Sequence, residues 1–115
     1  MFIQTKSFTS EAKRLRLSLD DVRQIENEIS VDPTAWPVIA GSKGLRKMRF
    51  ASEQSGRGKS GGHRVCYFIV DDAKHIYLAT LFGKNESANL SKADCRVLAG
   101  MITDIKARYE KRGNS

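Results

Sequence analysis

Lys43, Arg46, Lys47, Arg49, Arg57, Lys59 and Arg64 crowd into residues 41–64, and Glu53 is the one carboxylate among them. That window carries six of the seven net positive charges of the 115-residue chain, so the rest is close to neutral. Charge focused in this way draws polyanions by releasing their condensed counterions, which makes nucleic acid the first partner to consider. The cations suit different tasks. Arg64 opens a strand pattern directly after Gly61-Gly62, where a planar guanidinium on a rigid element can clamp a phosphate with two hydrogen bonds. Lys47 and Arg49 alternate with Met48 and Phe50 and therefore share a face. If Arg64 faces the same side from a neighbouring strand, three cations converge. A lysine crowded by other cations gives up its proton more readily and can act as a base, which singles out Lys47. Lys59 lies in a Gly-rich stretch that permits close backbone approach to a phosphate.

Other chemistries fit poorly. Gly56-Arg57-Gly58-Lys59 is not a P-loop, because no GxxxxGK[ST] leads from a strand into a helix. Cys66 and Cys95 are too far apart for a CxxC pair, and with His63 and His75 they make no metal site of standard spacing. No metal, cofactor or disulfide is expected. His63 alternates away from Arg64 and His75 lies at a turn, so both read as bystanders. No apolar run approaches the ~20 residues that span a bilayer, and residues 1–6 lack a signal-peptide core. The expectation is a soluble, cytoplasmic protein with no membrane partner.

The elements that must hold these side chains follow from periodicity and caps. The length suits one domain over residues 1–115. Phe2 to Thr5 reads as a short strand, and a helix is expected from about Ser10 through Leu15. Ser18 with Asp21 makes an acidic capping box, followed at helical spacing by Val22, Ile25 and Ile29. Asp32-Pro33 and Trp36-Pro37 stop it. Leu45 to Ala51, His63 to Val70 and His75 to Phe82 read as three strands, with a Ser/Gly-rich loop over 52–62 and a polar turn at 71–74. Their short connections predict an antiparallel meander. Ser91 then caps a helix whose Val97, Leu98, Met101, Ile102, Ile105 and Tyr109 form an apolar stripe ending near Gly113. The class is α+β: an antiparallel sheet with two N-terminal helices and a C-terminal helix.

Three stretches of the chain carry a more specific pattern. They are Val38-Ile39-Ala40-Gly41-Ser42-Lys43-Gly44-Leu45-Arg46-Lys47-Met48-Arg49-Phe50-Ala51, Gly56-Arg57-Gly58-Lys59-Ser60-Gly61-Gly62-His63-Arg64-Val65-Cys66-Tyr67, and Gly83-Lys84-Asn85-Glu86. In this order and spacing the chain resembles the HigB branch of the RelE/ParE toxins of type II toxin–antitoxin pairs. The resemblance implies a RelE-like fold, related to microbial ribonucleases, and a metal-independent endoribonuclease that cuts translated mRNA in the ribosomal A site. It also implies as partners the ribosome, its mRNA and a HigA-like helix-turn-helix antitoxin, with operator DNA reached only through that antitoxin.

Carried onto this sequence, the resemblance makes Arg64 the phosphate-binding arginine and sets Lys84 and Asn85 at the border of the RNA-binding groove. With Lys47 and Lys59, singled out by charge and position, Arg64 and Lys84 are the catalytic candidates, while Lys43, Arg46, Arg49 and Arg57, by their charge, and Asn85 are candidates for RNA or ribosome binding. RNA cleavage of this kind needs a base for the 2′-OH, an acid for the 5′-oxygen and positive charge for the phosphate. The chain offers the charge in abundance. Phe82, where similar chains often carry tyrosine, has no proton to donate, and Ser91 stands near where some relatives use another tyrosine. The donor is therefore unassigned, which suits an enzyme that relies on the ribosome to align its substrate. A ParE-like toxin that poisons DNA gyrase without catalysis, or a basic RNA-binding module, would use the same charge differently.

Overall fold

Thr5 makes the joint between strand β1 (Phe2–Gln4) and helix α1 (Lys6–Arg14) of the computed structural model, which describes residues 1–51, 62–72, 74–83 and 90–113. Its hydroxyl accepts from the Phe8 N–H at 3.1 Å and donates to the Ala79 carbonyl at 2.7 Å. That cap starts the helix at Lys6, four residues before the expected Ser10. The far end closes on a Schellman pattern: Leu17 N–H bonds the Ala12 carbonyl, and Arg16 N–H bonds that of Lys13. Arg16 takes the left-handed conformation (φ 61°) that this motif requires. Helix α2 (Leu19–Val31) then opens on the expected capping box, with Ser18 Oγ accepting from Asp21 N–H at 3.0 Å and Asp21 Oδ2 from Ser18 N–H at 2.9 Å. It ends at Asp32, immediately before Pro33.

Strands β2 (Arg46–Phe50), β3 (His63–Val70) and β4 (His75–Gly83) form the expected antiparallel meander. The sheet as a whole is not antiparallel. Its order is β1-β4-β3-β2, and β1 lies parallel to β4, with Phe2 opposite Ile76 and Gln4 opposite Leu78. Both N-terminal helices and two strands intervene between these partners, a connection long enough to return in the same direction. Ile76 N–H to the Met1 carbonyl (2.9 Å) and Thr5 N–H to that of Leu78 (3.1 Å) hold the pair from both ends. The fold is therefore α+β with a mixed, open sheet of four strands.

Each face of the sheet has its own core. Met48, Phe50, Val65, Tyr67, Leu78 and Leu81 meet Phe8 and Ala12 of α1 and Ile25 and Ile29 of α2. Leu45, Cys66, Phe68, Val70, Ala79 and Phe82 meet Ile102 and Ile105 of α3 (Lys92–Gly113) on the opposite face. Ser91 caps α3 as expected, its Oγ accepting from Asp94 N–H at 3.0 Å. The apolar stripe of α3 holds except at Val97, which is 73% exposed. Tyr109 docks the far end of α3 through its hydroxyl, 3.1 Å from that of Tyr77, whose ring stacks on Phe68 at 5.0 Å.

Candidate nucleic-acid interface

Pairing in the meander decides which side chains share a face, because residues directly opposite in neighbouring strands point to the same side. Arg49 is opposite Arg64, and Arg64 is opposite Phe82. Lys47 is opposite Cys66, and Cys66 is opposite Thr80. Lys47, Arg49 and Arg64 therefore converge on one face, the condition on which the sequence reading depended. It is the face that carries α3 along its other part. Arg49 is exposed, while Lys47 and Arg64 are half-buried.

Two local features set this arrangement. Gly62 precedes β3 with φ 62°, and a Cβ there would run into the Phe50 carbonyl oxygen. Only glycine brings the chain so close to β2 at the point where Phe50 pairs with His63. A β-bulge shifts the β3–β4 register after Cys66, so that Tyr67 pairs with Leu78 and Ala79 is passed over. The freed Ala79 carbonyl takes the Thr5 hydroxyl, and Ser7 Oγ donates to Thr80 Oγ1 at 2.9 Å. The start of α1 is thus stitched along the end of β4 where β1 leaves off.

Cys66 lies beneath the cations and is fully buried. Burial pushes its thiol up to about 12, against the opposing pull of Lys47. It remains a neutral thiol at ordinary pH and serves the site as floor, not as a nucleophile.

The remaining candidates separate. Arg46 stands on the other face, opposite Tyr67. Its Nη1 donates to the carbonyls of Thr34 (3.1 Å) and Trp36, tying residues 34–36 to β2. Tyr67 reinforces the same segment by donating its hydroxyl to the Pro33 carbonyl at 2.7 Å. Lys43 is exposed in a tight turn (φ 65°) built on the buried Ser42, and its carbonyl accepts from Lys106 Nζ at 3.2 Å. That turn folds residues 37–39 back along β2, with Ile39 N–H bonded to the Leu45 carbonyl at 2.7 Å. Arg57, Lys59, Lys84 and Asn85 lie outside the described residues. On the two N-terminal helices, Arg14 is paired with Glu11 at 2.7 Å and Arg23 with Asp20 at 4.0 Å.

The sequence reading missed the ground beside Arg64. A groove of about 560 Å³ opens between α1, β4 and α3, with Thr80 and Phe82 on its floor. Its signal was faint: a lone threonine in an otherwise apolar run, Leu78-Ala79-Thr80-Leu81-Phe82.

Among the described residues, no group of three or more His, Cys, Asp or Glu could hold a metal ion, and no helix is long and apolar enough to cross a membrane. No family model matches the chain.

Proposed function

We propose that this protein is a RelE-like, HigB-type toxin: a ribosome-dependent endoribonuclease that cuts translated mRNA by attack of the 2′-OH on the adjacent phosphate. The observation that carries the reading is the direct cross-strand pairing of Arg49 with Arg64, with Lys47 diagonal to Arg64 on the same face. Like charges opposite one another on a sheet cost stability, and an anion bound between them relieves that cost. A phosphate whose charge grows in the transition state gains most from such a pair of guanidinium groups.

In this mechanism Arg64 and Arg49 hold the non-bridging oxygens of the scissile phosphate. Lys47 adds its charge to theirs as the 2′-OH gives up its proton to solvent and the new P–O bond forms. The P–O5′ bond breaks, leaving a 2′,3′-cyclic phosphate and a 5′-hydroxyl once a proton reaches the departing oxygen. The neutral Cys66 thiol and the Phe82 ring give this centre a dry, uncharged floor, which strengthens the pull of the cations. Alignment of the sugar and phosphate falls to the ribosome, and a helix-turn-helix antitoxin holds the toxin in check.

Expression in growing cells, with mapping of message 5′ ends, tests the reading. Cuts are expected in translated regions, in register with codons, while naked RNA is cut poorly. Arg64→Ala is expected to lose about a hundredfold in cutting, or ~3 kcal/mol of transition-state stabilisation, in a protein that still folds. Growth arrest with uncut messages would sink the ribonuclease and favour a toxin that poisons a protein such as DNA gyrase.

A further inference from the structure

Arg64 lies near the start of β3, and a second group of ionisable side chains gathers at the other end of that strand, where Val70 pairs with His75 across the turn into β4. Asp71 and Asp72 make this turn in the left-handed conformation (φ 55° and 53°), and Lys74 N–H closes it on the Asp71 carbonyl at 3.0 Å. The turn brings Asp71 Oδ2 to 3.5 Å from His75 Nδ1. That nitrogen is buried and has no hydrogen-bond partner among the described residues. A buried polar atom left in this way costs stability and is rare in a folded chain.

From α3, Tyr109 sets its ring against the histidine, with centroids 5.1 Å apart and planes tilted by 51°. Its hydroxyl meets that of Tyr77 on β4 at 3.1 Å, which holds the ring in place. Beside them Asp71, Lys106, Tyr109 and Glu110 line a cavity of about 250 Å³, and Lys106 reaches out of it to the Lys43 carbonyl. With His75 neutral, this cavity has two carboxylates against one ammonium, and the ring nitrogen stays unbonded. A proton on His75 improves both. The new N–H has Asp71 as its acceptor, the added charge balances the second carboxylate, and the cation lies within the ~6 Å at which an aromatic ring attracts it. On the opposite side are Asp72, Lys74 and the Met1 amine, which donates to the Lys74 carbonyl at 2.8 Å. All three are exposed, so water and salt screen their effect.

We infer that this cluster is a pH-dependent latch: protonated His75 holds Tyr109, and the far end of α3 with it, against the sheet, and loss of the proton slackens that end. Only the docked helix brings Tyr109 and Glu110 to the histidine, so the charge acts on docking itself. Histidine changes charge between about pH 5 and 8, the range in which such a latch works. It uses none of the cations of the candidate site, yet α3 shares its sheet face with them. Slackening its end therefore loosens the helix that flanks Lys47 and Arg64.

Amide hydrogen exchange of the full chain tests this, each rate being divided by that of an unstructured chain at the same pH. Protection of the α3 amides from Ile105 to Glu110 is expected to be about fivefold higher at pH 5.5 than at pH 8, with the α2 amides unchanged. His75→Gln is expected to abolish the difference. Asp71→Asn, at a left-handed position that asparagine adopts readily, is expected to keep the fold and reduce it. Equal protection of the α3 end at both pH values overturns the latch. A difference that survives in His75→Gln, or disappears in His63→Gln, overturns the role of His75, and an undiminished one in Asp71→Asn overturns that of Asp71. A change shared equally by α2 and α3 means that the whole fold responds, and overturns a local latch.

Discussion

Met48, Phe50, Val65 and Tyr67 are buried against α1 and α2, while Lys47, Arg49 and Arg64, their immediate neighbours along the same strands, stand on the face that α3 shares with the cations. Successive residues of one strand thus divide between the core packed on α1 and α2 and a cationic patch on the opposite face. Arg46 and Arg49 make the point most sharply. They are three positions apart on one strand, but Arg46 spends its guanidinium on the carbonyls of Thr34 and Trp36, whereas Arg49 is exposed opposite Arg64. Odd and even positions put them on opposite sides, so a shared charge does not mean a shared role. On the proposed function, stability and anion binding are separable here, one residue at a time.

The largest effect that separates the faces is expected at Phe50. Phe50→Ala empties a fully buried site and should cost about 3–5 kcal/mol, read from the urea midpoint. Any folded fraction should keep its RNA affinity. A loss of affinity per folded molecule would mean that the two faces are coupled through β2.

Cys66 provides a test by pH. Its thiol rises from an ordinary value of 9.0 to about 12, so the neutral form is favoured in the folded chain. The associated stability is whole below about pH 9, where the thiol is neutral folded or unfolded. It is lost as pH rises from 9 toward 12, because only the unfolded thiol ionises there, to a limit of about 4 kcal/mol. Cys66→Ala should therefore show a shallower alkaline decline in stability. An equal decline in both proteins would mean that other groups govern it.

Arg46→Met should cost about 2 kcal/mol through the two lost bonds to carbonyls, with RNA binding unaltered. Arg49→Gln should do the reverse. Its stability should hold or rise slightly, while the slope of log K against log salt flattens by about 0.7–0.9, the contribution of one phosphate contact. Equal loss of RNA affinity in these two variants would break the distinction between the faces.

Much of this division was legible in the chain itself. The alternation of Lys47 and Arg49 with Met48 and Phe50, the full extent of β3 and the capping box at Ser18 are local patterns, and each was read as it stands. The parallel pairing of β1 escaped because nothing near Phe2 encodes a partner at Ile76. The start of α1 escaped because Thr5 caps it without an acidic residue in the first turn to announce it. Arg46 reads in the sequence as one more anion-binding candidate because its acceptors, ten and twelve residues away, are backbone carbonyls that leave no mark on sequence. The groove is built from Ser7, Thr80 and the start of α3, and the separation of 73 in sequence between its first two members puts it beyond any windowed reading.

The parallel β1–β4 pair has a kinetic consequence. The β2–β3–β4 meander forms from neighbours in sequence, whereas docking β1 joins residues more than seventy positions apart. Closing that loop costs entropy before any contact repays it, so the hairpins form first and the N-terminal strand arrives late. Thr5 and Ser7 travel with that strand, so the wall they give the groove is expected to form after the meander.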